Sequence, residues 1–462
     1  MKTKTNIMAR IAAILIACSL LMSLAACGQA PAPTEAPSQS TAGTSADPTK
    51  TPSQSEADPT KAPSPGVVKA GNLIEGIEAE AVEGKAADET FLSSQYAFAA
   101  RLLADSYKED GSNCLVSPLS VVLALAMTAN GAANETLKQM LDVIGSGITM
   151  EDLNAYLYQY VNNLPSSARA KLAVANSIWL NDKENFSVRE DFLRKDVSWY
   201  HADVYKQPFN SSAVKEINGW VAKHTDNMID QILEKLSKDD RMLLINAICF
   251  DAKWLSPYTE YAVGEENFFL SDGTVQTVDM MHSQEREYYS GEDYKGFAKY
   301  YEGGGYKFVA ILPDKEIGLD EFITSLDGNK LSSILNGSTG TKVNTGLPKF
   351  SYDYSASLKE RLQGMGMVNA FVDDTASPDF ADFSLMSDTN PLYISDVIHK
   401  THIEVTEAGT RAAAVTAVVV AEATAMPTEP PKEVILDRPF LYMIVDSETN
   451  LPIFIGTVNS VE

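Results

Sequence analysis

Residues 407–422 have the sequence EAGTRAAAVTAVVVAE, and this stretch decides the fold of the chain. It consists of alanyl, small and β-branched residues, and it has no Gly or Pro between Gly409 and Pro427. With the two-residue period of a strand, the even-numbered residues from Thr410 to Val420 form one narrow face, and Arg411 lies on the other face. This composition suits a buried central strand, whereas the MPTEPP that follows is typical of a loop. The sequence therefore predicts a segment that can lie either in an exposed loop or in a sheet as a buried strand.

The composition of the whole chain limits its partners. The chain has 462 residues, of which 45% are hydrophobic, and its formal net charge is −25. Nucleic acids and other polyanions, such as heparin, bind to clustered Lys and Arg. This acidic balance therefore argues against a nucleic-acid partner and against activation by a heparin-like polyanion. Helical patterns dominate the first half and short strand patterns the second. This order favours an α+β protein with large sheets.

The N-terminus has the features of an export signal. Basic residues precede an apolar run over residues 11–26, which is too short for a membrane-spanning helix. The run ends in Leu24-Ala25-Ala26-Cys27, which resembles a bacterial lipobox and implies cleavage before Cys27 and lipidation of its thiol. We expect lipidated Cys27 to anchor the protein to the bacterial membrane, facing the cell surface. A plain secretory signal that happens to end at Cys is the alternative.

Three parts follow from these patterns. Residues 1–26 are the signal peptide, residues 27–87 form a lipidated, disordered tether rich in Pro, Ser and Thr, and residues 88–462 form the globular domain. Two cysteines remain in the globular part, Cys114 and Cys249, each within an apolar stretch. Buried free thiols are favoured over a disulfide, because two cysteines carry no framework pattern.

Apolar periodicity predicts the main elements of the globular part. Helices are expected at 134–144, 151–164, 190–199 and 211–236. The sequence Ser117-Pro118 opens a further helix that is apolar nearly all round, which predicts deep burial. The continuous apolar run at 242–250 predicts a central strand that is covered on both faces.

Signals for catalysis or metal binding are weak. The five histidines form no HExxH motif, no GxSxG is present, and no Cys/His set has metal-ligand spacing. Residues Ser212–Lys215 match S-x-x-K, but the companion motifs of a Ser-Lys hydrolase are missing and chance matches are common. Taken alone, His399 and His402 are best interpreted as hydrogen-bonded core histidines. We therefore expect no enzyme activity, no catalytic residue, no metal and no cofactor.

Several segments together resemble one family, the serpins, which inhibit serine proteases by a conformational change. The matching segments occur in the family order and extend the resemblance over residues 88–462; they are residues 113–140, 217–233, 243–254, 347–367, 404–417 and 438–458. The resemblance implies one α+β domain of three β-sheets and eight to nine helices with an exposed reactive-centre loop. It also implies a monomer whose partner is a target serine protease.

The same resemblance implies a mechanism. A protease cuts the loop as a substrate, and the cut loop inserts into the main sheet before the acyl-enzyme can be hydrolysed. The matching hinge residues are Glu407, Ala408, Gly409, Thr410, Arg411, Ala412, Ala413, Ala414 and Val415. Arg411 departs from the acidic residue that many inhibitory serpins have there, and its outward position predicts little damage. A non-inhibitory serpin that only displays a binding surface is the alternative, but its hinge usually carries charged or bulky inward residues.

Further positions match residue by residue. The polar cluster under the opening point of the main sheet, called the shutter, corresponds to Ser117, Ser120, Asn246 and His399. Lys349 and Glu407 match a charge pair at the base of the loop, and Trp254 matches an aromatic residue where insertion begins, although core packing alone would also explain Trp254.

The scissile bond is assigned by counting from the hinge. Sixteen residues after Glu407 lies the bond Ala423-Thr424, with Ala421-Glu422 and Ala425-Met426 as alternatives because the loop is longer than usual. Every one of these bonds follows an alanine. This predicts an elastase-like or subtilisin-like target with a shallow pocket, and not a trypsin-like one. A solute-binding lipoprotein is a third interpretation of the tether, but the strand-rich C-terminal half disfavours its two α/β lobes.

Overall fold

The computed structural model describes residues 71–108, 110–166, 170–183, 186–388, 392–411 and 430–461. The signal peptide, Cys27 and most of the tether lie outside this part of the chain, as do residues 412–429 with the predicted bond Ala423-Thr424. Within the described ranges, no helix combines the length and apolarity needed to cross a membrane.

Nine α-helices are present in the described ranges, most of them in the first half of the chain. They are α1 (Glu89–Ser106), α2 (Pro118–Ala129), α3 (Asn134–Gly145), α4 (Met150–Asn163), α5 (Glu190–Tyr200), α6 (Ser211–His224), α7 (Gly318–Thr324), α8 (Gly328–Asn336) and α9 (Lys359–Gly364).

In the part of the chain that the structure describes, seventeen strands form three sheets. The main sheet has the order β1-β4-β3-β5-β14-β13-β12, with β1 (Gly71–Asn72), β4 (Asp203–Gln207), β3 (Ala170–Asn181), β5 (Met242–Lys253), β14 (Gly409–Thr410), β13 (Ile394–Val405) and β12 (Phe350–Ser357). The second sheet contains β2 (Cys114–Val116), β17 (Pro452–Val458), β16 (Phe440–Asp446), β10 (Tyr306–Pro313), β9 (Tyr294–Tyr300) and β8 (Glu287–Ser290). The third contains β15 (Lys432–Ile435), β11 (Val343–Pro348), β7 (Val275–Glu285) and β6 (Val263–Phe269). The predicted α+β class with three sheets is confirmed.

Helix α2 connects the main sheet to the second sheet. The Ser117 hydroxyl caps it by accepting the Ser120 N–H, and Pro118 occupies the first helical position, where its missing N–H costs nothing. Every residue of the helix is buried, as its uniformly apolar sequence predicts. It packs against β3 and β5 of the main sheet and against β17 of the second sheet.

The centre of the main sheet is made by β5 and β13, which run parallel and pair directly from Ile394 with Met242 to Thr401 with Ile248. Beyond Thr401 the two strands separate, and the two-residue strand β14 lies between them, antiparallel to both. The sheet is therefore closed over most of its length and open at one end.

The predicted helix over residues 211–236 is wrong in its second half. Helix α6 ends at His224, and Asp226 and Asn227 have left-handed backbones with φ of 50° and 58°. The Asn218 amide oxygen accepts the N–H groups of Ile232 and Leu233 at 2.9 and 3.0 Å. This side chain satisfies backbone donors that a continued helix would have used itself, so the apolar periodicity of residues 229–236 packs as an irregular segment.

The structure also moves the boundary of the tether. Residues 71–87 were assigned to the disordered part, yet Gly71 and Asn72 pair with β4, and Leu73 is buried and donates its N–H to Val204. Farther along, the Lys85 N–H bonds to the carbonyl of Ala155. A polar, acidic composition hid this strap, because Leu73, Ile74 and Ile77, which pack on the core, are too few to form a periodic pattern.

Candidate functional site: the hinge and the opening of the main sheet

The hinge enters the main sheet as strand β14. Gly409 is opposite Lys253, and Thr410 lies between Ala252 of β5 and Val405 of β13. A Cβ atom on Gly409 would lie 2.1 Å from the carbonyl oxygen of Ala252, so only glycine allows the two backbones to approach this closely. Two hinge residues are thus part of the sheet in the uncut chain.

Thr410 is held by an aromatic support. It is only 2% exposed, and its hydroxyl lies 2.6 Å from the hydroxyl of Tyr301. Tyr301 in turn stacks on Trp254, with ring centroids 4.5 Å apart and planes 15° from parallel. The indole N–H of Trp254 donates to the carbonyl of Thr406 at 2.9 Å, and its backbone N–H donates to Ala408 at 3.0 Å. Trp254 therefore binds the hinge directly, which core packing alone would not require.

Arg411 is the last described residue before the loop. Its N–H donates to the carbonyl of Glu404 at 2.7 Å, which continues the ladder between β13 and β14 by one bond. Its φ is +49°, a left-handed backbone that turns the chain away from the extended direction. The predicted hinge residues Ala412, Ala413, Ala414 and Val415 follow and lie outside the described residues.

The predicted charge pair at the base of the loop is formed. The Lys349 ammonium lies 2.8 Å from Asp279 and 3.0 Å from Glu407. Its hydrogen bonds to these carboxylates, with Asp279 contributing most, raise the pKa of Lys349, although desolvation acts in the opposite direction. The Lys349 and Glu407 side chains are 32% and 38% exposed, so solvent screens the interaction. This pair fixes the direction of the hinge more than it stabilises the fold.

The four predicted shutter residues meet under β5 and β13. His399 is fully buried; its Nδ1 lies 2.5 Å from the Asn246 side-chain oxygen, and its Nε2 accepts the Ser117 N–H at 3.2 Å. These roles place the ring proton on Nδ1, and burial lowers the pKa of His399 to about 3. The Asn246 amide donates to the Ser120 hydroxyl at 2.5 Å and to the Asn176 side chain at 2.6 Å.

This network joins β3, β5 and β13 to helix α2, and His399 and Asn246 are direct neighbours across the β5–β13 pair. A strand inserted between them must separate the two side chains. We call this network the polar lock. His399 and Asn246 are both fully buried, so separating them would leave their polar atoms in need of new hydrogen-bond partners.

The sequence did not identify Asn176, Thr406 or Tyr301 as site residues. Asn176 could have been noticed, since it is an amide that directly follows the small apolar run Leu172–Ala175 in strand β3. Tyr301 gave no signal, because an aromatic residue after a strand is ordinary core composition.

The register of the strands is the same in the open and closed parts of the sheet. From Asp396 onward, each paired residue of β13 faces the β5 residue 153 positions earlier. This offset holds where the strands pair directly, as at His399 and Asn246, and where Thr410 separates Val405 from Ala252. A longer β14 could thus continue between them without sliding either strand.

Comparisons with known proteins agree with this geometry. Residues 93–461 match the family model described as serpin (serine protease inhibitor). An uncharacterised serpin-like protein of Thermococcus kodakarensis is 33% identical over 365 residues, which are 76% of this chain and 82% of that protein. The crystal structure of the thermophilic serpin tengpin in its native state has 44% identity and a TM-score of 0.80, covering 85% of this chain and all of that one. The latent state of tengpin, also 44% identical, has a TM-score of 0.71 and covers 82% of this chain and all of that one.

Proposed function

The chain belongs to the serpin family, and we propose that it is an inhibitory serpin that traps serine proteases as covalent acyl-enzymes by inserting its cut loop into the main sheet. The observation that carries this proposal is the position of Gly409 and Thr410, which already lie between β5 and β13 in the register that a longer strand would continue. The higher TM-score with native than with latent tengpin supports an arrangement from which insertion can still proceed.

The sequence after Thr410 fits the space between the two strands. In the continued register, even-numbered loop residues share the inward direction of Thr410, and from 410 to 420 these are small or β-branched. Thr416 would come between His399 and Asn246, so the one inward polar residue among alanines and valines would meet the polar lock. Its hydroxyl could then replace the hydrogen bond that insertion breaks between the histidine and the asparagine.

The chemical step belongs to the protease. Its serine oxygen attacks the carbonyl carbon of Ala423, the bond to the Thr424 nitrogen breaks, and the new amine leaves with a proton. The serpin then carries the acyl-enzyme along as roughly 14 residues, at about 3.3 Å each, enter the sheet and displace the bound protease by about 45 Å. Trapping succeeds if insertion is faster than hydrolysis of the ester.

The target class follows from the small residues around the proposed bond. An elastase-like or subtilisin-like protease accepts alanine in its specificity pocket, whereas a trypsin-like enzyme requires Arg or Lys. Incubation of the chain lacking its signal peptide with elastase, and separately with trypsin, tests this. We expect an SDS-stable complex with elastase and release of a peptide that begins at Thr424. Cleavage by elastase with neither a complex nor a gain in thermal midpoint would instead indicate a non-inhibitory serpin that acts as a binding surface.

We also propose that the protein is anchored at the cell surface by a lipid on Cys27. The lipobox-like sequence and the Pro/Ser/Thr-rich tether before the folded body support this. Such a tether would let the reactive loop meet proteases outside the cell. A Cys27→Ser variant should appear in the medium and not in the membrane fraction, whereas equal membrane retention of both forms would reject the anchor.

A further inference from the structure

Arg411 is the last described residue of the hinge, directly after strand β14. In the register of β13 and β14, residues 404 and 411 form a hydrogen-bonded pair, and the bond from the Arg411 N–H to the Glu404 carbonyl is made. The φ of Arg411 is +49°, a left-handed value that differs from the extended backbone of a strand. An L-residue is strained in this conformation, and rotation of Arg411 to an extended backbone on insertion would relieve that strain.

The outer face of the main sheet carries charged residues in the row that is aligned with Arg411 across the strands. Lys171 of β3 pairs across with Asp251 of β5, and Glu404 of β13 pairs with Ser351 of β12. Since Thr410 is opposite Ala252, the next position, that of Arg411, is opposite Asp251 on one side and Glu404 on the other. An extended Arg411 would complete a row of Lys, Asp, Arg and Glu across four strands.

The charges around Asp251 are close enough to affect one another in the uncut chain. Burial raises the Asp251 pKa, and Arg411 opposes this more than Lys171 and Lys253 do. Lys171 also contacts Asp226, so its charge is shared between two carboxylates. Arg411 is thus the main cation facing Asp251 from the hinge side.

We propose that Arg411 is a positioning residue of the trapping reaction. In the uncut chain it holds the hinge where β5 and β13 separate, and on insertion its positive charge comes to lie between Asp251 and Glu404. This inference rests on the proposed inhibitory function. The position where many inhibitory serpins have an acidic residue is matched in this chain by acidic neighbours on both flanking strands. An acidic residue here would put three carboxylates side by side, and like charges directly across a ladder oppose pairing.

Charge exchange tests the proposal. Arg411→Asp, Asp251→Arg and the double exchange are compared with wild type, with Arg411→Lys as the conservative variant. Lys315→Glu, in the exposed loop before α7, is the control for a change of net charge. The readouts are the stoichiometry of inhibition with elastase, the gain in thermal midpoint after loop cleavage, and the melting point of the uncut protein as a check of folding.

We expect Arg411→Asp to raise the stoichiometry of inhibition about two- to fivefold, since opposed cross-strand charges are weak but act on the insertion step. The double exchange should recover only part of this loss, because it restores opposite charges at positions 411 and 251 but leaves like charges between 411 and Glu404 and between 251 and Lys171. Arg411→Lys should stay near wild type, and ~1 M salt should reduce the differences. A merely structural role for Arg411 would not be rescued by exchanging the charge on the opposite strand.

The outcomes separate the two proposals. If wild type forms no complex and gains no stability on cleavage, the inhibitory function fails and the role of Arg411 fails with it. If wild type traps elastase while Arg411→Asp traps equally well, or if the double exchange gives no recovery, only the role of Arg411 is overturned.

Discussion

A charged residue at Thr410 should convert the inhibitor into a substrate. Thr410 is the first inward-facing residue of the inserting strand, and its environment is the Tyr301 hydroxyl and the backbones of Ala252 and Val405. In Thr410→Arg the uncut hinge can swing out and keep the guanidinium in water. After cleavage, insertion must bury that charge with no acidic partner among these neighbours.

The size of the effect on insertion follows from the free-energy cost of a buried, uncompensated charge, which is about 3–5 kcal/mol. If most of this cost falls on the insertion step, insertion slows by about a hundredfold or more. The acyl-enzyme ester would then be hydrolysed before the protease is displaced. Thr410→Val is the matched control, because it keeps the shape of threonine and removes only the partner of the buried Tyr301 hydroxyl, a loss of about 1–2 kcal/mol.

The assay is titration of elastase with each variant, followed by gel analysis of complexed and cut protein. We expect wild type and Thr410→Val to partition mainly to complex, because the contact between Thr410 and Tyr301 is already made before cleavage and its loss affects the states before and after insertion alike. Thr410→Arg should give only cut protein and active elastase. Efficient trapping by Thr410→Arg, with the loop cut at the same bond, would refute the reasoning that this residue must enter the sheet.

Three further predictions concern the surrounding network. Burial lowers the pKa of His399 from 6.5 to about 3 in the folded chain. Its neutral ring therefore contributes fully to stability above pH 6.5, and this contribution is lost as the pH falls toward 3. The His399→Gln variant should show a flatter dependence of the unfolding free energy on pH between these values. Lys349→Met should lower the free energy of unfolding by less than about 1 kcal/mol, because Glu407 and its partner are partly exposed; a loss of several kcal/mol in denaturant titration would contradict this. Burial raises the pKa of Cys114 to about 12 and that of Cys249 to about 11, so neither thiol should react with a disulfide reagent at pH 8 until the protein unfolds, and fast labelling of the native state would disprove it.

Much of this site could be predicted because its parts have distinct sequence signals. A capped apolar helix at Ser117-Pro118, a continuous apolar strand around Asn246 and a hinge without bulky inward residues each follow from local physics, and the family pattern adds their order. The structure places Ser117, Ser120, Asn246 and His399 in one network, as that pattern implies.

Other features depend on three-dimensional register that no local pattern encodes. The support of Thr410 by Tyr301 requires a residue 109 positions away to reach the same point. The end of α6 at His224 depends on the Asn218 amide, which satisfies backbone donors fourteen and fifteen residues later. The strap at residues 71–87 is held by backbone hydrogen bonds and by a few scattered side-chain contacts, which composition does not reveal.

The most direct test of loop insertion is amide hydrogen exchange of residues 412–421 before and after a single cut in the loop. We expect exchange within seconds in the uncut protein, and protection for hours after cleavage together with a large rise in thermal midpoint. Equally fast exchange of this segment in the cut protein would show that the loop stays outside the sheet.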